Sequence, residues 1–132
     1  LTNSGVGGVH ALAHSVGAKF GTHHGIANSI FLPHGILFNM DIAAERYARL
    51  ARMVGVSKST KDLTATKDLM DAIEQLCIDC GLPRRLRDAG VPELNNSDIE
   101  ELVVLAVSDP AIMFNPKDCS EKDIQELYER AY

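Results

Sequence analysis

The chain has 132 residues, a length typical of one domain with a single hydrophobic core. Hydrophobic and charged residues make up 45% and 23%, as in an ordinary globular protein. The net charge of -5 argues against nucleic-acid binding, which needs a basic surface. No apolar run reaches the roughly 20 residues that cross a membrane.

Six helices are predicted from apolar residues at helical spacing and from the turn residues between them. In chain order they cover residues 9–16, 25–38, 42–54 and 69–80, and two further segments opened by Ser97 and Ser120. Residues 1–8 are small and glycine-rich and predict a loop. No segment alternates as a strand would. The expected fold is therefore an all-α bundle of about six helices, with residues 1–132 as one domain.

The ends of these helices follow from single residues. Gly17 is the expected C-cap of the first helix. Pro33 should kink or break the second helix because it lacks a backbone donor, and Asn39 should end it. Ser97 and Glu100 form a candidate capping box for the fifth helix.

The three cysteines predict reduced thiols, because the count is odd and nothing indicates secretion. This favours a cytoplasmic protein. Cys77 and Cys80 resemble half of a metal site, but no second pair follows, and both fit the inward face of the fourth helix. Core packing is the favoured interpretation.

All five histidines lie between residues 9 and 39, and imidazole is a common ligand of transition metals. His10 and His14 are four residues apart, so they share a helix face. His24 falls near the start of the next helix, and contact between the two helices would bring it close to His10. Two ligands are too few for a catalytic centre, which typically uses three and an open position. The remaining ligands must come from elsewhere.

Other interpretations remain open for these residues. His10 and His24 alone could be buried, hydrogen-bonded histidines. His34 fits the core, and His23 fits either a cleft or the surface. A metalloprotease helix is disfavoured because Ala11 stands where its glutamate would be. Lys19 could reach a phosphate, but a solvated loop lysine is favoured.

The histidine pattern is long enough to resemble a known family. It runs His10-x3-His14-x2-Gly17-x5-His23-His24-Gly25-x2-Asn28-x3-Leu32-Pro33-His34-x4-Asn39. It closely resembles the C-terminal signature of the iron-containing (group III) alcohol dehydrogenases. The run from Gly81-Leu82-Pro83 to Gly90-Val91, and the ending from Asp109 through Asn115-Pro116, are also similar, so the resemblance covers the whole chain.

The resemblance implies a C-terminal helical metal-binding domain of the dehydroquinate synthase-like fold. It implies that His10 and His24 bind Fe(2+), with Zn(2+) as the alternative, and that His14 transfers a proton beside the substrate. The family usually has proline where this chain has His23, so either His23 or His24 could be the ligand. We favour His24 because it precedes Gly25.

The same resemblance implies oxidation of small alcohols, or reduction of aldehydes, with NAD or NADP. That cofactor would be bound mainly by an N-terminal nucleotide-binding domain. The chain has no glycine-rich dinucleotide motif and does not begin with Met, so we expect it to be the C-terminal part of a longer enzyme, inactive alone. The resemblance is also compatible with a homo-oligomer.

Two alternatives stay open. One is a related enzyme of the same superfamily, either a polyol dehydrogenase or a maleylacetate-type reductase. The other is a non-catalytic helical module for metal binding or oligomerisation, with the metal site completed by its own carboxylates or across a symmetric dimer.

Overall fold

A computed structural model describes residues 6–132, so residues 1–5 of the predicted loop lie outside it. Five α-helices follow one another: α1 Gly8–Phe20, α2 His24–Met53, α3 Asp62–Asp79, α4 Asn96–Ser108 and α5 Glu121–Ala131. Two short 3₁₀ helices span Arg87–Ala89 and Pro110–Phe114. Residues 6–132 contain no strand. The all-α class is confirmed, with five α-helices rather than about six.

Helix α2 replaces the two separate helices that the sequence predicts over residues 25–54. Pro33 lies inside it without ending it, although an internal proline costs a helix about 3 kcal/mol. Asn39 does not end it either. Its buried side chain exchanges hydrogen bonds of 3.0 and 2.8 Å with the amide of Asn115. Contacts with α1, α3 and α5 offset the cost of the proline and keep α2 continuous.

Helix α1 is one turn longer than predicted. Gly17 lies inside it, and the C-cap is Gly21, whose φ of 72° is in the left-handed region. The Gly21 N–H donates to the Gly17 carbonyl oxygen at 3.0 Å. Only residues 21–23 separate the two helices, so α2 turns back directly against α1.

The main core lies where α1, α2, α4 and α5 meet. Tyr128 is fully buried at its centre, with its ring edge-on to Phe31 at 5.6 Å between centroids. Its hydroxyl donates to the carbonyl oxygens of Leu12 and Leu102. Around it pack Ala13, Val16, Ala27, Ile30, Ala106, Ile124 and Leu127. A smaller cluster of Ala48, Ala51, Ala65 and Leu69 joins α2 to α3.

The start of α4 differs from the prediction. The capping box is formed by Asn95 and Asp98, two residues before the predicted Ser97 and Glu100. Asparagine and serine are similarly good N-caps, so the local sequence allows both registers. Helix α5 begins after Ser120, as predicted.

The prediction that Cys77 and Cys80 of the fourth helix pack in the core is wrong at the C-terminal end of that helix. This helix, α3, packs on α2 through its first half, where Ala65, Thr66 and Leu69 are buried. Its second half extends past that contact, so Cys77 is only half-buried and Cys80 is exposed. Both thiols are free.

Within residues 6–132, no helix combines the length and the apolar character needed to cross a membrane.

Candidate metal and proton-transfer site

Three of the predicted histidines meet where α1 and α2 lie side by side. His10 and His14 lie one turn apart on α1, and His24 is the first residue of α2. The ring centroids lie 5.4 Å apart for His10 and His24, 5.8 Å for His10 and His14, and 5.2 Å for His14 and His24. Two imidazoles that bind one tetrahedral ion at about 2.1 Å have centroids roughly 5 Å apart. The spacing of the His10 and His24 rings is therefore appropriate for two ligands of one ion.

The cluster opens outward. His10 is half-buried, whereas His14 and His24 are exposed. A mostly apolar cavity of about 370 Å³ adjoins the rings and is lined by His10, His24, Asn28 and Leu32 among others. Burial, together with the charges of His24 and His14, lowers the pKa of His10. This favours the neutral imidazole, which is the form that binds a metal.

His14 has a carboxylate partner. Its Nδ1 lies 2.6 Å from Oδ2 of Asp109, the residue that precedes the 3₁₀ helix Pro110–Phe114. The other oxygen, Oδ1, accepts the Ala111 N–H at 2.8 Å. Partial burial acts to raise the pKa of Asp109, but these hydrogen bonds and the nearby histidines hold it below its ordinary value. Asp109 is therefore a carboxylate near neutral pH and can only accept hydrogen bonds.

Asn28 lies one turn after His24 on α2. Its Nδ2 donates to the His24 carbonyl oxygen at 2.9 Å and lies 3.1 Å from Nε2 of the same ring. Its Oδ1 is buried and accepts no hydrogen bond from the described residues. A buried acceptor without a donor is rare, so this atom marks a polar position beside the histidines that an additional group could satisfy.

His23 and His34 lie outside the cluster. His23 is the N-cap of α2, and its Nδ1 accepts the Gly25 N–H at 3.2 Å. His34 is half-buried beside a different cavity, lined also by Glu74 and Arg85. Burial lowers the pKa of His34.

Lys19 is neither free to bind a phosphate nor a solvated loop residue. It lies in the last turn of α1, where it forms ion pairs with Asp98 at 3.2 Å and with Glu101. These contacts join α1 to α4.

The histidines of this cluster meet the requirements of a metal centre only in part. Neutral imidazoles suit iron(II) and zinc, and the spacing of His10 and His24 is appropriate for one ion. However, residues 6–132 contain no group of three or more His, Cys, Asp or Glu side chains placed to hold an ion. Among the described residues, His10 and His24 are therefore at most a partial set of ligands.

Asp109 and Asn28 have no predicted role, although both lie in the family-like runs. The available signal for Asp109 is the Asp-Pro pair after a helix, which predicts an N-cap with proline at the first helical position. That signal predicts the local turn. It does not reveal a partner on another helix.

Fold and site together define a class: an all-helical domain that presents a histidine cluster from two adjacent helices at an open surface. The whole chain, residues 1–132, matches the model of the C-terminal region of the Fe-containing alcohol dehydrogenase family. The chain belongs to this family.

The names of its relatives are those of reductases and dehydrogenases. The chain is 38% identical over 133 residues to lactaldehyde reductase of Escherichia coli K12, covering 100% of this chain and 34% of that protein. It is 35% identical over 135 residues to 1,3-propanediol dehydrogenase of Citrobacter freundii, with the same coverage. The crystal structure of a 1,3-propanediol oxidoreductase superimposes with a TM-score of 0.87 at 31% identity, covering 96% of this chain and 32% of that one. The chain thus spans about a third of the length of these relatives.

Proposed function

We propose that this chain is the C-terminal, metal-binding helical part of an NAD(P)-dependent alcohol dehydrogenase. The enzyme would interconvert small alcohols and aldehydes. The convergence of His10, His14 and His24 at an open face is the observation that carries this proposal. The names of the relatives, which include lactaldehyde and 1,3-propanediol, favour small hydroxyaldehydes and diols as substrates.

His10 and His24 are the proposed ligands of a divalent metal, Fe(2+) or alternatively Zn(2+). When bound by these residues, such an ion would act as a Lewis acid that lowers the pKa of the alcohol hydroxyl. His14 accepts the hydroxyl proton and, because its side chain is 45% exposed, returns it to solvent. His23 is a helix cap rather than a ligand, since its Nδ1 is used by Gly25.

The other metal ligands and most of the NAD(P) contacts belong, in this proposal, to an N-terminal nucleotide-binding domain outside residues 1–132. The two-histidine donor set supports this view, because a catalytic centre typically uses three protein ligands. The cytoplasm remains our expectation for its location, on the basis of the reduced thiols.

Metal titration of the purified chain tests the ligand assignment. Calorimetry under anaerobic conditions with Fe(2+), and separately with Zn(2+), should detect weak binding, which His10→Ala or His24→Ala should abolish. His34→Ala is the matched control and should leave binding unchanged, because His34 lies in a different cavity. His14→Ala should retain metal binding. The assignment is wrong if His34→Ala weakens binding as much as His10→Ala does.

The same experiment addresses a non-catalytic metal module. A self-contained module would bind the ion tightly with ligands from this chain alone or from a second copy. A half-site binds weakly at every protein concentration and gives no alcohol-dependent reduction of NAD. Turnover by the 132-residue chain by itself would contradict the proposed division into two domains.

A further inference from the structure

Asp109 holds His14 through a contact between elements that are distant in sequence. His14 lies on α1, and Asp109 lies 95 residues later, between α4 and the 3₁₀ helix. The His14 side chain is 45% exposed and that of Asp109 only 19%. A half-exposed imidazole has several rotamers available, so a fixed carboxylate beside it restricts both its rotamer and the position of its proton.

The Asp109 carboxylate is itself held in place. Oδ1 accepts the Ala111 N–H at 2.8 Å as the cap of the 3₁₀ helix, and Pro110 fixes the backbone dihedral of its first residue. With Oδ1 fixed, Oδ2 is oriented toward Nδ1 of His14 at 2.6 Å. An ionised carboxylate only accepts, so Nδ1 must carry the proton, and the lone pair of the neutral ring is on Nε2.

We propose that Asp109 is a positioning residue for His14: it holds the Nδ1–H tautomer and thereby makes Nε2 the proton acceptor. In the reaction the alcohol O–H bond breaks and an Nε2–H bond forms. The electron pair left on oxygen forms the carbonyl as the C–H bond breaks and its hydride passes to NAD(P)⁺. The resulting imidazolium keeps its hydrogen bond to Asp109, which stabilises its charge until Nε2 releases the proton to solvent. The catalytic meaning of this pair rests on the proposed function, whereas the tautomer does not.

Nitrogen NMR of the metal-free, uniformly ¹⁵N-labelled chain tests the proposal at about pH 8, above the ordinary titration range of imidazole. Long-range ¹H–¹⁵N correlations distinguish a protonated from an unprotonated ring nitrogen. His14 should show a protonated Nδ1 and an unprotonated Nε2. Free histidine prefers the opposite tautomer, so this result would require a specific acceptor.

Asp109→Asn is the informative variant because asparagine has one side-chain acceptor where aspartate has two. The amide oxygen can accept either from Ala111 or from His14, but not from both. His14 should then shift toward the Nε2–H tautomer. Asp123→Asn, at the start of α5, is the matched control and should leave the His14 resonances unchanged.

The proposal is overturned if His14 has the Nε2–H tautomer in the unsubstituted chain, or if Asp109→Asn leaves a folded chain with the original tautomer. Should the variant unfold, the unsubstituted chain still decides the question. Metal titration separates this inference from the proposed function. If His10→Ala abolishes metal binding but His14 has the Nε2–H tautomer, only the role of Asp109 is rejected. The expected tautomer in a chain that binds no metal supports that role and rejects the proposed metal site.

Discussion

Gly35 of α2 lies against Val9 of α1, and we predict that replacing it by alanine will disturb both stability and the histidine cluster. A Cβ atom at this position would overlap Cγ2 of Val9. Non-bonded carbon atoms pack at about 3.5 Å or more, so one of the two groups must move by roughly 1 Å. Val9 relieves the overlap poorly by rotation, because β-branched side chains in helices strongly prefer one rotamer.

Two opposing effects set the expected magnitude. Alanine is favoured over glycine inside a helix by about 0.5–1 kcal/mol. Overpacking of a close contact costs about 1–3 kcal/mol. The overlap should win, so Gly35→Ala should lower the free energy of unfolding by about 1–2 kcal/mol. Val9 directly precedes His10, so the same displacement should move His10 away from His24 and weaken metal binding.

Urea denaturation in a double-mutant cycle measures this effect. In the Val9→Ala background the clashing methyl group is absent, so Gly35→Ala should be neutral or stabilising there. The coupling between the two substitutions should be about 1 kcal/mol or more. The reasoning is refuted if Gly35→Ala has the same effect in both backgrounds, or if it stabilises the unsubstituted chain.

Three further predictions concern buried contacts and pH. Tyr128→Ala should lower the free energy of unfolding by about 3–5 kcal/mol, because it removes a fully buried ring. Tyr128→Phe loses only hydrogen bonds of 3.4 and 3.5 Å and should cost about 1 kcal/mol or less. Equal losses for the two variants in urea denaturation would contradict this. Asn39→Leu removes both hydrogen bonds between Asn39 and the Asn115 amide, which keeps its bond to the Lys117 carbonyl oxygen, and should cost about 1–3 kcal/mol. Asn39→Leu combined with Asn115→Leu should cost less than the sum of the single changes. Hydrogen bonds from the N-cap residues lower the pKa values of Asp98 and Asp123 in the folded chain, so their stabilisation is present above the unfolded value of about 3.9 and is lost as the pH falls through the folded values. Asp98→Asn with Asp123→Asn should therefore flatten the dependence of stability on pH below about 5, and an unchanged slope in chemical denaturation at several pH values would refute this.

The local part of the site is predictable because it depends on short sequence separations. His10 and His14 share a face as a consequence of helical spacing, and His24 begins α2 because only a tight turn follows Gly21. The family resemblance adds roles to these residues, which stay proposals until the metal titration is done. Helix α5 is equally local: Ile124, Leu127 and Tyr128 are buried as its apolar spacing predicts.

Longer-range contacts explain where the predictions are wrong. Pro33 and Asn39 both favour a helix end by local rules, yet α2 continues through them. The reason is a partner 76 residues away, Asn115, together with the contacts that α2 makes with α1, α3 and α5. The exposure of Cys80 has the same origin, because helical spacing defines a face but not how far the neighbouring helix extends along it.

The sequence by itself determined the helical class, the cluster of histidines and which two of them share a face of one helix, since these depend on interactions within a few residues. Only the tertiary structure decided that α2 is a single helix, that Lys19 joins α1 to α4, and that Asp109 holds His14. Those outcomes depend on side chains that meet only when the helices pack. A contact between residues 95 positions apart, such as that of His14 with Asp109, has no periodic sequence pattern that would predict it.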